Sequence, residues 1–175
     1  MLECRAGWGY IFFMKRLATI VLITIAFGLG DGPVKVLQAQ AASRLAVFGK
    51  GTVSIVSGDQ SHKFRVDLAL THQQQMQGLM FRRNMPADAG MLFVYKQESL
   101  IAMWMKNTYL PLDMLFIAPG GRIVKIAERT VPLSEATIAS GGAVIAVLEL
   151  NAGTASRLGI KPGDVVKAAA LGTAR

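Results

Sequence analysis

From Thr52 onward, apolar and polar positions alternate in short runs separated by turn residues. Residues 52–56 and 63–70 read as strands, parted by the turn cluster Ser57-Gly58-Asp59-Gln60-Ser61. In the second run Phe64, Val66, Leu68 and Leu70 share one face and Lys63, Arg65 and Asp67 the other, the period-2 pattern of a half-buried strand. The period changes at Thr71. Thr71 and Gln74 form a capping box, and Met76, Leu79 and Met80 recur at helical spacing. This predicts a helix that ends near Arg82 or Arg83, ahead of Pro86. Residues 90–95 and 100–106 read as two more strands. Residues 113–118 and 122–128 flank Pro119-Gly120-Gly121, a hairpin signal. Residues 143–150 form an apolar run interrupted only by Glu149, as in a strand buried on both faces. A short helix over residues 152–158 follows, with Gly159 placed to stop it in the left-handed conformation. Lys161-Pro162-Gly163-Asp164 is a turn into a last strand at residues 165–169. Seven or eight short strands and two short helices predict an α+β fold, predominantly β. The expected form is a compact, barrel-like sheet with antiparallel or mixed pairing.

The first 41 residues follow another pattern. Residues 17–29 are an uncharged apolar run preceded by Met14-Lys15-Arg16. The run is too short for a spanning helix, which needs about 20 apolar residues, but has the length of a secretory signal core. Ala39-Gln40-Ala41 offers small residues for cleavage before Ala42, and Met14 is the better start than Met1. The expected organisation is an extension plus signal over 1–41, a linker or loosely attached first strand over 42–51, one β-rich domain over 52–170 and a tail over 171–175. The expected location is periplasmic or secreted, with anchoring by an uncleaved N-terminal segment as the alternative.

Removing residues 1–41 leaves 15 basic and nine acidic side chains, a formal +6, and no cysteine, because Cys4 is the only one. Such a domain must be held by its core, since no disulfide can form. Its basic residues are scattered, with no run longer than Arg82-Arg83, so the charge reads as a solvated surface. No motif supports nucleic-acid binding. A monomer is expected, touching membrane only through the N-terminal segment.

Three stretches carry a resemblance. They are Gly78-Leu79-Met80-Phe81-Arg82-Arg83 running to Gly90-Met91-Leu92-Phe93; Trp104-Met105-Lys106-Asn107-Thr108 with Pro111-Leu112-Asp113-Met114; and Val147-Leu148-Glu149-Leu150 with Gly159-Ile160-Lys161-Pro162-Gly163-Asp164. Over about residues 53–166, in this order, the chain resembles the domain of unknown function 192 family. The resemblance implies a compact β-rich domain, often exported, and no particular activity. Residues 158–165 also look like the helix–turn–strand of a PDZ domain, but a glycine stop followed by a Pro-Gly turn produces such sequences repeatedly.

The candidate pocket residues are Trp104, Lys106, Asn107, Asp113, Glu128, Glu149 and Arg82. On a strand, Trp104 and Lys106 would share a face and, with Asn107 and Thr108, could floor a pocket for an anionic or amide-bearing ligand. Otherwise Trp104 fills the core, Lys106 reaches water, and Asn107-Thr108 shape a turn. Asp113, Glu128 and Glu149 border or interrupt apolar runs; a buried carboxylate needs a partner or a proton, and Lys106, Arg82 and Arg83 are the nearest in kind. They form either a polar constellation with a general base or structural ion pairs. All seven methionines after residue 41 lie between Met76 and Met114. Thioethers can bind Cu(I), but Met is also an ordinary core filler, and no histidine-rich run accompanies them. No metal or cofactor is therefore expected. There is no nucleophile elbow and no phosphate-binding glycine loop. Ser134 and Ser140 read as loop residues. Three functions stay open: a binding or accessory module of the cell envelope for a small molecule or envelope ligand, a carboxylate-based enzyme acting on an envelope polymer or small molecule with Asp113, Glu128 or Glu149 as base, and a structural or protein-interaction domain.

Overall fold

The computed structural model describes residues 45–173. The signal, cleavage and start-site expectations lie outside the described residues. Seven strands form one sheet: β1 (Gly49–Ser57), β2 (Gln60–Ala69), β3 (Ala89–Met103), β4 (Leu112–Ile117), β5 (Ile123–Ala127), β6 (Ile138–Asn151) and β7 (Val165–Ala168). Their order is β5-β4-β6-β3-β2-β1-β7. Strands β2 and β3 run parallel, connected through helix α1 (His72–Gln77), and the other neighbours are antiparallel. The fold is predominantly β with two short helices, as the periodicity predicts.

The sheet curls until its two edges meet at one point. Arg122 bridges Val165, Ile123 N–H donates to the Asp164 carbonyl at 2.8 Å, and Gly163 N–H donates to the Ile123 carbonyl at 2.8 Å. Gly121 makes this contact sterically feasible: its φ is 88°, and a Cβ there would lie 2.3 Å from the Val166 carbonyl oxygen. The Pro-Gly-Gly turn therefore both reverses the chain and lets it abut β7.

Curling gives the sheet two unlike faces. Side chains from all seven strands meet on the concave face, among them Val53, Ile55, Val66, Leu92, Leu115, Ile123, Leu148 and Val166, joined by Ala155 of helix α2 (Thr154–Leu158). The opposite face packs Met91, Phe93, Met114, Phe116 and Val147 beneath Leu79, Met105 and Leu112. Burial on both faces explains the apolar run in β6 and why every residue of β4 is buried.

Several expectations change. The two strands at 90–95 and 100–106 are one strand, β3. Its pairing with β6 shifts register between Val94 and Ser99, where exposed Lys96, Gln97 and Glu98 form a bulge that resembles a loop in sequence. A second shift, between Leu100 and Ala102, is a bulge in β6 held by Ser140, which is buried in the strand: its hydroxyl accepts from Ile101 N–H at 3.1 Å and donates to the Gly142 carbonyl at 2.6 Å. Strand β1 begins at Gly49, inside the expected linker. Leu70 lies past the end of β2 and is exposed, whereas Asp67, on the face expected to be wet, is buried. The capping box on α1 is present, but the helix stops at Gln77 because Gly78 turns to φ 50° against the Phe93 ring. No α1 residue is buried, so the helix covers the sheet without contributing to its core. Gly159 ends α2 at φ 69°, in the left-handed conformation that the sequence predicts.

Candidate functional site

The site lies on the convex face, where β3 and β6 pass under α1 and the loop after β3. A row of side chains crosses the sheet there in register: Asp67 on β2, Met91 on β3, Glu149 on β6 and Met114 on β4. The row holds two buried carboxylates with unlike surroundings. Asp67 accepts from Lys50 Nζ and, at 2.6 Å, from Arg82. Burial pushes the Asp67 carboxyl up, but the hydrogen bonds and charges of Lys50 and Arg82 outweigh it and hold the group below its ordinary value.

Glu149 is 4 % exposed, and no side chain among the described residues pairs with or donates to its carboxylate. Burial pushes it up to about 8, against an opposing pull from the Arg82 guanidinium. It lines a cavity of about 410 Å³ with Phe93, Tyr95, Met103, Trp104, Thr108, Thr137 and the α1 turn from Gln75 to Met80. The Tyr95 hydroxyl sits 3.6 Å from the Met103 sulfur. Burial and the negative charge of Glu149 push the phenol up to about 12. An apolar concavity of this size with one desolvated acid is the usual make-up of a small-molecule site.

Of the residues singled out by sequence, Trp104, Thr108 and Glu149 come together in this cavity. Trp104 is 41 % exposed, because β3 ends at Met103 and the next residues leave the sheet; Met105 enters the core in its place. Lys106 lies over the Trp104 ring at 5.0 Å, with Glu135 3.7 Å from its ammonium. Asn107 adopts φ 54°, and its carbonyl accepts from Phe81 N–H at 2.9 Å while its amide nitrogen lies 3.9 Å from the Met80 sulfur. Arg82 pairs with Asp67 and acts on Glu149 only through its charge.

The other two lie elsewhere. Glu128 is exposed beyond the end of β5. Asp113 is fully buried and accepts from the N–H groups of Arg129, Gly153 and Ala155 at 2.9, 3.0 and 2.9 Å. It ties the start of α2 and the segment after β5 to β4, which leaves it little capacity for chemistry. Tyr95, Gln75, Met76, Met80 and Met103 complete the cavity without having been singled out as pocket residues; only the crowding of methionine hinted at them. A second, more polar cavity of about 530 Å³ includes Lys50, Arg65, Asp67 and Arg82, but these charges are paired, Arg65 with Asp88 at 2.8 Å.

The family model for DUF192, described as an uncharacterized ACR, matches residues 53–168, which takes in both faces of the sheet and the cavity. Among solved structures, the chain is similar to a "putative transcription regulator" from Sinorhizobium meliloti 1021, with 50% identity, a TM-score of 0.70 and coverage of 72% of this chain and 98% of that one. It is also similar to a protein of unknown function from Novosphingobium aromaticivorans DSM 12444, at 36% identity, a TM-score of 0.66 and coverage of 73% and 97%. No curated protein matches the sequence.

Proposed function

Starting from the fact that this chain belongs to the DUF192 family, we propose that its domain is an exported ligand-binding module of the cell envelope, with its small ligand seated in the cavity over Glu149. The observation that carries this reading is the unpartnered burial of that one acid. An isolated carboxyl group is costly to bury, ionised or not, and no side chain among the described residues supplies a compensating donor. A ligand with a hydrogen-bond donor or a positive charge would compensate it, and the apolar lining would take up the rest of the molecule.

Ligand-observed NMR with a set of small amines, alcohols and acids tests the site. Binders should lose at least about tenfold in affinity, or about 1.4 kcal/mol, when Ala102→Trp fills the cavity mouth. Binding unaffected by that change, or binding by none of the set, would count against the cavity. The exported form should begin at Ala42, which the intact mass of protein from an envelope fraction will show; a membrane-bound form that keeps residues 17–29 would point to anchoring instead.

A carboxylate-based enzyme is the second reading, and Glu149 is the carboxylate that favours it, since its raised value suits a general base near neutral pH. The cavity's other titratable lining residue is Tyr95, which is held protonated. Binding is therefore the simpler use of the site.

A further inference from the structure

We infer that the ligand of this cavity is an organic cation, a substituted ammonium with an apolar body. The inference rests on the cavity reading above and adds the ligand's charge to it.

Three of the polar side chains that line the cavity have their donors taken up within the protein. The Gln75 amide nitrogen donates to the Val94 carbonyl at 2.8 Å and lies 3.4 Å from that of Ala69. The Thr108 hydroxyl donates to the Lys106 carbonyl at 3.2 Å. The Tyr95 hydroxyl is directed at the Met103 sulfur. What a ligand meets around Glu149 is its carboxyl group, with thioether sulfur and the faces of aromatic rings. Ring faces and polarizable sulfur attract cations, and a desolvated carboxylate attracts them more strongly still.

The protein's own cations do not fill this role. Arg82 is bound to Asp67, and Lys106 stays at the rim between Trp104 and Glu135. Above about pH 8 an anionic ligand would meet like charge at Glu149, and at any pH a neutral one would leave the ring faces without their preferred partner.

Binding is then linked to one proton. Below about pH 8 the empty site holds Glu149 as the neutral acid. A fixed-charge cation binds its carboxylate, and the proton leaves to solvent. The charged and titratable groups bearing on Glu149 are Tyr95 from β3, which stays protonated, and the Arg82 guanidinium from the segment after α1. The neighbouring strand positions, Met91 and Met114, do not titrate.

Titration calorimetry on the purified protein tests this with benzyltrimethylammonium and with choline set against 3,3-dimethylbutan-1-ol, its neutral isostere. The expected result is binding of both cations with proton release, and affinity rising about tenfold per pH unit up to about pH 8 and then levelling. The neutral isostere should bind at least about tenfold more weakly above pH 8. Glu149→Gln should lose the cations by a similar factor and remove the pH dependence. If the alcohol binds as tightly as choline and Glu149→Gln changes nothing, the charge assignment is wrong while the cavity stands. If neither cation binds but neutral members of the NMR set do, the charge assignment again fails alone. If nothing binds in either experiment, both readings fall.

Discussion

The two faces of the sheet are built from different side chains. The concave core is branched and aliphatic, rich in Val, Ile and Leu, and contains no methionine. The convex face carries Met91, Met105 and Met114 in its core, Met85 and Met103 at its margin, and Met76 and Met80 at the cavity. Branched side chains have few rotamers and lock a shape, whereas methionine has three rotatable bonds and adapts to an irregular space. One face therefore specifies the curl, and the other keeps a hollow with an acid in it. The clustering of methionine between residues 76 and 114 is this division seen in one dimension.

Substitutions should separate the faces by size of effect. Leu148→Ala on the concave face should cost about 3–5 kcal/mol, because the closed core cannot collapse around the cavity it leaves; a denaturant melt below about 2 kcal/mol would mean that this core is as yielding as the other. Asp113→Ala should cost roughly 2–4 kcal/mol by stranding three buried N–H donors, with the earliest loss of amide-exchange protection at residues 153–155. Glu149→Gln should act in the opposite direction. A raised folded-state value means that the carboxyl's contribution to stability is fully present below about pH 4.5 and is lost as pH rises through about 8. The variant should therefore be more stable than wild type at about pH 9 by more than about 1.4 kcal/mol, one pK unit, and melts across pH should show the gap narrowing towards pH 4.5. Met91→Leu should cost less than about 1.5 kcal/mol; a loss as large as that of Leu148→Ala would erase the distinction between the faces.

The same contrast explains what sequence could show. The concave face was legible because its strands alternate and its turns carry Pro-Gly-Gly and Lys-Pro-Gly-Asp. Glu149 was legible as the one charge in an apolar run. Strand β3 was not, because Lys96 to Glu98 form a polar bulge and look like a loop. Trp104 was placed by strand alternation, which stops one residue before it. Asp113 gave no sign of its task, since its partners are backbone N–H groups 16 to 42 residues away, and a backbone donor leaves no mark on composition. The turn at Gly78 that lines the cavity is a matter of one glycine against one ring, which periodicity does not register.

Everything proposed for the convex face depends on Glu149 being a buried acid without a partner. Its side-chain carboxyl ¹³C resonance, identified by its loss in Glu149→Gln and followed from about pH 3 to 10, measures this directly. A midpoint near 8 is the predicted result, moving down when a fixed-charge cation is added. A midpoint near 4.5 in the ligand-free protein would show that the carboxylate is solvated or paired, and would contradict the site.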